Sequence, residues 1–395
     1  MGVVAGALRR YRTRPRRIAV QFRPVKWGRS ASLSALLAVA ALAVSSCGGA
    51  DRGEPVSAEA PAAVVDCAGK QELRAGGPSA QAKAIQQFVY AYTAACPGRT
   101  LNYRASGASA AVDDFIDNDI DLAGSEAALD PAKGQPERAA ERCGSPARHL
   151  PLVFEPIAVT YQIPGVTSLI LDGPTLAKIF GGTIASWDNP AIKALNPGAA
   201  LPTLPIHVVY RGDRSPSTAA FQRYLEVASD GGWIGAGETF NGGIGEAVVG
   251  NNGAAAALQA TDGSITYSEW SFAVGKQLPM AQLSSAGAAP VAVSAESVAK
   301  AVAGARSVAE ANPHNDLVLE SASLYKPADH GAYPIVSAIY QIVCSKYPDA
   351  ATGMAVKAFL QAAIGPGQEG LDQYGFVPVP EPLKSRLVTA VNAIS

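Results

Sequence analysis

Apolar positions recur with two periods along most of the chain. From Ser79 to Ala95 they return every three or four residues, at Ala84, Phe88, Ala91, Tyr92 and Ala95. That spacing draws the stripe of an amphipathic helix, and the stripe stops at Cys96-Pro97-Gly98. Short runs of strand type flank it: Glu72-Leu73-Arg74-Ala75, broken by Gly76-Gly77, and Thr100 to Arg104. The alternation then repeats. Ser106-Gly107-Ala108-Ser109 opens a helix through Val112, Phe115 and Ile116, and Ile120 to Gly124 reads as a strand. Pro151 to Tyr161 is a long apolar strand, and Thr175 to Phe180 a short helix. Ile206 to Tyr210 is a strand that runs through Arg211-Gly212-Asp213 into a helix opening at Ser215-Pro216-Ser217-Thr218. Strands alternating with helices predict an α/β fold with largely parallel sheets. No internal repeat interrupts the pattern.

Three of the strand-to-helix junctions share one chemistry. Gly76-Gly77-Pro78-Ser79, Ser106-Gly107-Ala108-Ser109 and Arg211 to Thr218 each place Gly and Ser at a helix start. Free N–H groups and the positive end of the helix dipole suit such an end to an anion. In parallel α/β sheets these junctions lie at the carboxyl ends of the strands, where ligands bind. Ordinary capping by serine, with proline at the first helical position, also accounts for any one of them. Three together, one carrying an arginine, point to an anion pocket.

Charge changes the picture at the N-terminus. Residues 1–46 hold nine basic residues and no acidic one, which leaves 23 basic against 33 acidic residues in the remainder. A body of net charge −10 is unsuited to nucleic acid, whose recognition leans on Lys and Arg against phosphates. Ala31 to Ser46 is apolar, uncharged and short for a bilayer span, and it follows a basic stretch, as in a secretory signal. Val44-Ser45-Ser46-Cys47 resembles the lipobox of bacterial lipoproteins, in which the cysteine is lipidated. Gly48-Gly49-Ala50 and a Pro/Ala/Glu-rich tether to residue 63 follow. Residues 1–46 are therefore expected to be a signal peptide and 47–63 a tether, with the mature protein anchored at Cys47 on the extracytoplasmic face of the cell membrane. A translation start near Val25 would account for the long basic stretch.

Four cysteines remain after Cys47: Cys67, Cys96, Cys143 and Cys344. In an exported protein they imply two disulfides, with three possible pairings. Cys67 precedes the first strand and Cys96 ends the helix that runs back antiparallel to it, so both fall at one end of the sheet. That placement predicts Cys67–Cys96 and leaves Cys143–Cys344. His149, His207, His314 and His330 lack metal-ligand spacing, and HExxH is absent, so no metal and no cofactor are expected. GxGxxG after a strand, a Walker loop and the GxSxG elbow are absent too. No nucleophile, base and orienting group come together in the sequence, which argues against an enzyme.

The junctions also carry a resemblance. Gly77-Pro78-Ser79-Ala80-Gln81, Leu101-Asn102-Tyr103 and Asp121 to Leu129 contribute to it, as do the run from Leu171 to Gly198, Gly263-Ser264-Ile265-Thr266-Tyr267 and Ala332 to Val336. Over nearly its whole mature length the chain resembles the phosphate-binding lipoproteins of bacterial phosphate ABC transporters, in their high-GC Gram-positive form. The resemblance implies an α/β, two-lobed, periplasmic-binding-protein-like fold of type II, with mixed sheets flanked by helices and the ligand in the interlobe cleft. Lobe I would comprise 64–155 plus 318–395, and lobe II 156–317. It further implies a monomer that captures inorganic phosphate and hands it to permease subunits without chemistry on it.

The resemblance also implies a ligand set. Ser79 with the Ala80 N–H falls on the first hydroxyl position. Arg211 matches the family's arginine and Asp213 the acid that orients it. Ser215, Ser217 and Thr218 match the hydroxyl and N–H positions of the third junction. Three positions depart. Ala108 stands where a serine is usual, with Ser109 adjacent; Glu126 replaces an aspartate; and Pro216 replaces a glycine whose N–H it lacks. A carboxylate in the pocket repels sulfate but accepts a proton from phosphate, so Glu126 is expected to set selectivity. The departures leave room for other readings: a paralogue for another tetrahedral oxyanion, a phosphate sensor, or a surface interaction protein with a vestigial pocket. An extracytoplasmic phosphoester hydrolase would need a nucleophile or metal set that the sparse histidines do not supply.

Overall fold

A computed structural model describes residues 65–285, 289–308 and 315–395. The signal segment, Cys47 and the tether lie outside the described residues. The alternation read from the sequence gives β1 (Glu72–Gly76), α1 (Ala82–Ala95), β2 (Thr100–Arg104), α2 (Ala108–Ile116) and β3 (Leu122–Ser125), and a helix that the sequence reading did not include, α3 (Gln135–Cys143), follows. Next come β4 (Ala147–Gln162), β5 (Ile170–Asp172), α4 (Gly173–Phe180), α5 (Pro190–Leu195), β6 (His207–Arg211) and α6 (Pro216–Ala228). The chain continues with β7 (Glu246–Val248), α7 (Gly250–Ala260), β8 (Ser264–Glu269), α8 (Trp270–Gly275), β9 (Gln282–Ser284) and α9 (Ala295–Ala303). It closes with α10 (Ser321–Tyr325), β10 (Val336–Cys344), α11 (Ala350–Ile364) and α12 (Glu381–Asn392).

Eight strands form one mixed sheet in the order β2-β1-β3-β10-β4-β8-β6-β7, and β5 pairs with β9 beside it. The strands joined by helices run parallel, as expected: β1 with β2 and β3, and β6 with β7 and β8. The sheet departs from a largely parallel one where β4 pairs antiparallel with β8, and at β10. This strand arrives from the C-terminal quarter and inserts antiparallel between β3 and β4. All nine of its residues are buried, so its pattern is a mostly apolar run, interrupted only by Ser337 and Gln341, rather than an alternation.

Strand β4 joins the two halves of the sheet. Its first part, Ala147 to Pro156, pairs with β10, and its second, Ile157 to Gln162, pairs with β8. Proline cannot donate to a ladder and is tolerated in a sheet only where the ladder is interrupted. Both prolines of β4 obey this. Pro151 lies at the register shift opposite Ile339 and Tyr340, and Pro156 ends the pairing with β10.

Helix ends follow their capping residues. Asp172 accepts from the Thr175 N–H at 2.8 Å, Asn189 from Ala191 at 2.9 Å, and Asp349 from Thr352 at 3.0 Å. The core buries Tyr92 edge-on against Phe359, with centroids 5.7 Å apart, and stacks Phe221 on Tyr267 at 4.6 Å. Cys67 is bonded to Cys96, and Cys143 to Cys344, each pair with Cα atoms 5.4 Å apart. No helix of the described residues is long and apolar enough to cross a membrane.

Candidate functional site

The carboxyl ends of β1, β6 and β8 and the middle of β4 open onto one cavity of about 560 Å³. Ser79, Ala80, Arg211 and Ser215 line it. Three residues that the sequence did not single out join them: Glu155, Asn251 and Glu269.

Arg211 is the last residue of β6, and its side chain is 11% exposed. Its Nε donates to Asp213 Oδ1 at 2.7 Å and its Nη2 to Asp213 Oδ2 at 2.5 Å. Its Nη1 donates to Asn251 Oδ1 at 2.7 Å. A guanidinium has five N–H donors, so two remain for a ligand. Asp213 also accepts the Gly250 N–H at 3.0 Å. The hydrogen bonds from Arg211 hold the Asp213 carboxyl well below the usual carboxylate range and, in return, raise the Arg211 guanidinium. The pair is a fixed fork pointing one cation into the cavity.

Ser215 stands at the N-cap of α6, yet its hydroxyl makes no cap hydrogen bond. Its Oγ is buried without a hydrogen-bond partner, in a residue that is 0% exposed. Capping therefore does not explain this serine. Ser217 and Thr218 are also buried, and their hydroxyls are already engaged by protein partners. Ser217 Oγ donates to Glu269, and Thr218 Oγ1 lies 2.6 Å from the Tyr267 hydroxyl. What these two residues can offer an anion is their backbone N–H groups in the first turn of α6, which have no acceptor within the helix.

The first junction is held from beneath. Tyr103 donates its hydroxyl hydrogen to the Pro78 carbonyl at 2.6 Å, Gln81 Nε2 donates to Tyr103 at 3.1 Å, and Gln341 Nε2 donates to Gln81 Oε1 at 2.8 Å. Gln81 is fully buried. Two glycines make room for it: a Cβ on Gly124 would stand 1.7 Å from Gln81 Nε2, and one on Gly77 2.5 Å from the same atom. Those glycines, which the sequence shows only as strand ends, are the space in which the Ser79 turn is anchored.

Glu126 and Ser109 lie outside the cavity lining. Ser109 is exposed in the first turn of α2. Glu126 follows β3; it is partly exposed, but its Oε1 is buried and has no hydrogen-bond partner. Burial pushes its carboxyl up to about 7, with Glu238 and Glu269 adding repulsion. Glu155, 4% exposed, is pushed well above its ordinary value by burial first and then by Glu269 and Glu126. Glu269 accepts from Ser217 Oγ and Asn251 Nδ2. The sequence did carry a sign of Glu155: a lone carboxylate in the apolar run Pro151-Leu152-Val153-Phe154-Glu155-Pro156-Ile157. Asn251, at the start of α7, and Glu269, at the end of β8, are distant in sequence from Arg211 and come near it only through the pairing of β6 with β7 and β8.

Among the described residues no group of three His, Cys, Asp or Glu side chains is placed to hold a metal ion. The arrangement suits an oxyanion instead. Arg211 and the hydroxyls of Ser79 and Ser215 stand in the lining as donors for it.

The sequence profile of the PBP superfamily domain matches residues 56–363. The phosphate-binding protein PstS 2 of Mycobacterium tuberculosis strain H37Rv is 56% identical over 373 residues, covering 94% of this chain and all of that protein. PstS 3 of the same strain is 51% identical over 375 residues, with the same coverage. Among solved structures, the fold is shared with a high-affinity periplasmic phosphate-binding protein, PfluDING, at a TM-score of 0.60 and 23% identity. That match covers 80% of this chain and 93% of that one. A human phosphate-binding apolipoprotein matches at a TM-score of 0.61 and 21% identity, with the same coverage.

Proposed function

The chain belongs to the PBP superfamily and, within it, to the PstS phosphate-binding proteins, and from that premise we propose that its cleft captures inorganic phosphate for delivery to an ABC permease. The observation that carries this reading is the Arg211–Asp213 fork, with two N–H donors left over, beside the unpartnered hydroxyl of Ser215. In the proposed complex Arg211, Ser79, Ser215 and the N–H groups of Ala80, Ser217 and Thr218 donate to the phosphate oxygens. Asp213 keeps the arginine aimed. Glu126 contributes to selectivity as an acceptor that sulfate cannot satisfy. Ser109 is assigned the weakest part, since it is exposed and outside the lining.

The change of partner within β4 supports a division of the chain into two lobes, 64–155 plus 318–395 and 156–317, that close over the anion by a hinge motion. Delivery without chemistry, a lipid anchor at Cys47 and a place outside the cytoplasmic membrane complete the proposal. Calorimetric titration of the mature protein with phosphate, sulfate and arsenate tests it. Phosphate is expected to bind, with sulfate far weaker. Equal binding of sulfate and phosphate would remove the case for a phosphate receptor.

A further inference from the structure

Glu155 is the carboxylate that the site has not otherwise used. It lies on β4 at the last residue but one of the pairing with β10, opposite Ser337, where the sheet passes from one half to the other. It lines the cavity, is 4% exposed, and among the described residues nothing donates a hydrogen bond to it. The charged and titratable groups around it are known from each neighbouring element. Lys83 of α1, Arg211 of β6, Glu269 of β8 and Lys276 at the end of α8 share its cavity, and Glu126 beyond β3 acts on it through space. None of the cations pairs with it. Arg211 is engaged by Asp213 and Asn251, and no ion pair joins Glu155 to Lys83 or Lys276.

A buried, unpaired carboxylate beside an incoming anion faces two charges of its own sign, Glu126 and Glu269, before the anion arrives. An ionised carboxyl in that position would be uncompensated, which proteins avoid by neutralising the group. A metal ion is no remedy here, because among the described residues no three suitable side chains are placed to hold one. A proton is.

We propose, building on the phosphate reading, that Glu155 holds a proton in the site and that anion capture draws a proton onto it, so that the protein binds phosphate more tightly in acid than in alkaline medium. The elevated position of this carboxyl agrees with that role. The sign follows from linkage. An anion bound nearby makes ionisation of Glu155 costlier still, so binding takes up a proton wherever the free protein has begun to lose it, and affinity falls as pH rises through that range. The step is proton binding alone, supplied by the medium.

The test compares wild type with Glu155→Gln, which is close in shape to the protonated acid and cannot ionise. Phosphate affinity is measured from pH 6 to 9, and the protons taken up per phosphate are counted by calorimetry in two buffers of different ionisation enthalpy. Wild type is expected to lose at least tenfold more affinity over that range than Glu155→Gln, and to take up as much as one proton more near its midpoint. Phosphate's own titration is common to both proteins and cancels. A purely structural role for Glu155 would shift affinity at all pH values without changing the proton count. Carbon-13 titration of the wild-type carboxyls, with and without phosphate, reads the same proton with no variant. Parallel profiles with equal proton counts, or a Glu155 carboxyl unmoved by phosphate, would overturn the proposal and leave the phosphate reading standing. Failure of wild type to bind phosphate at any pH would overturn both.

Discussion

Replacing Arg211 with alanine takes away two things at once: the guanidinium N–H groups that face the cleft, and the cation that pairs with Asp213. Losing a charged hydrogen-bond partner from a closed cleft costs about 2–5 kcal/mol, so phosphate affinity should fall at least thirtyfold in Arg211→Ala. Ser215→Ala separates ligand contact from capping. A capping serine costs roughly 1 kcal/mol of stability when removed. Here the hydroxyl is buried and unpartnered, so thermal stability should hold or rise while phosphate affinity falls about tenfold. Glu126→Gln should act on discrimination, narrowing the gap between phosphate and sulfate by admitting sulfate. It should also change the dependence of stability on pH. The native Glu126 carboxyl, raised by burial to about 7 from an ordinary 4.5, binds its proton more tightly than the unfolded chain does. Its contribution therefore favours the native state below 4.5 and is lost as pH rises to about 7, a change of up to about 3 kcal/mol. Denaturant titrations at pH 5 and pH 8 should show this drop in wild type and a smaller one in the glutamine variant.

At the scale of the elements, the turn that carries Ser79 depends on glycines in two neighbouring segments. Gly124→Ala would drive a methyl group into Gln81, which is fully buried and tied to both Tyr103 and Gln341. Overpacking of this kind costs about 1–3 kcal/mol, so the variant should unfold at lower denaturant and also bind phosphate less tightly. The first strands and helices were legible in the sequence because each is short, local and periodic, with Gly or Pro at its ends. Most of the α/β alternation from β1 to α6 was therefore readable, although α3, β5 and α5 were not foreseen and β4 begins four residues before the expected Pro151. Strand β10 was not, because a fully buried central strand has no alternating face to reveal it. The site was legible to the extent that it is built from junctions: Arg211, Ser79, Ala80 and Ser215 each close a strand or open a helical turn. The hydroxyls of Ser217 and Thr218 look equivalent to that of Ser215 in sequence, and only the crossing of α6 over β8 turns them toward Glu269 and Tyr267. Asn251 and Glu269 carry no local signal at all, being joined to Arg211 by folding alone.

At the scale of the whole molecule, a chain with ten more acidic than basic residues beyond residue 46 binds an anion. The conflict is resolved locally. One arginine, fixed by its own acid, is set among N–H groups at helix starts, and oriented dipoles do the rest without a basic surface. Beside it the acceptor assigned to Glu126 favours an anion that brings its own proton. Charge selection of this sort, rather than raw attraction, is the account's central claim. It is tested most directly by titrating wild type and Arg211→Ala, side by side, with phosphate and with sulfate at neutral pH. The account predicts that wild type binds phosphate and largely refuses sulfate, and that Arg211→Ala loses phosphate by at least thirtyfold while remaining folded. If Arg211→Ala binds phosphate as tightly as wild type does, the anion sits elsewhere, and the fold would stand without the site assigned to it.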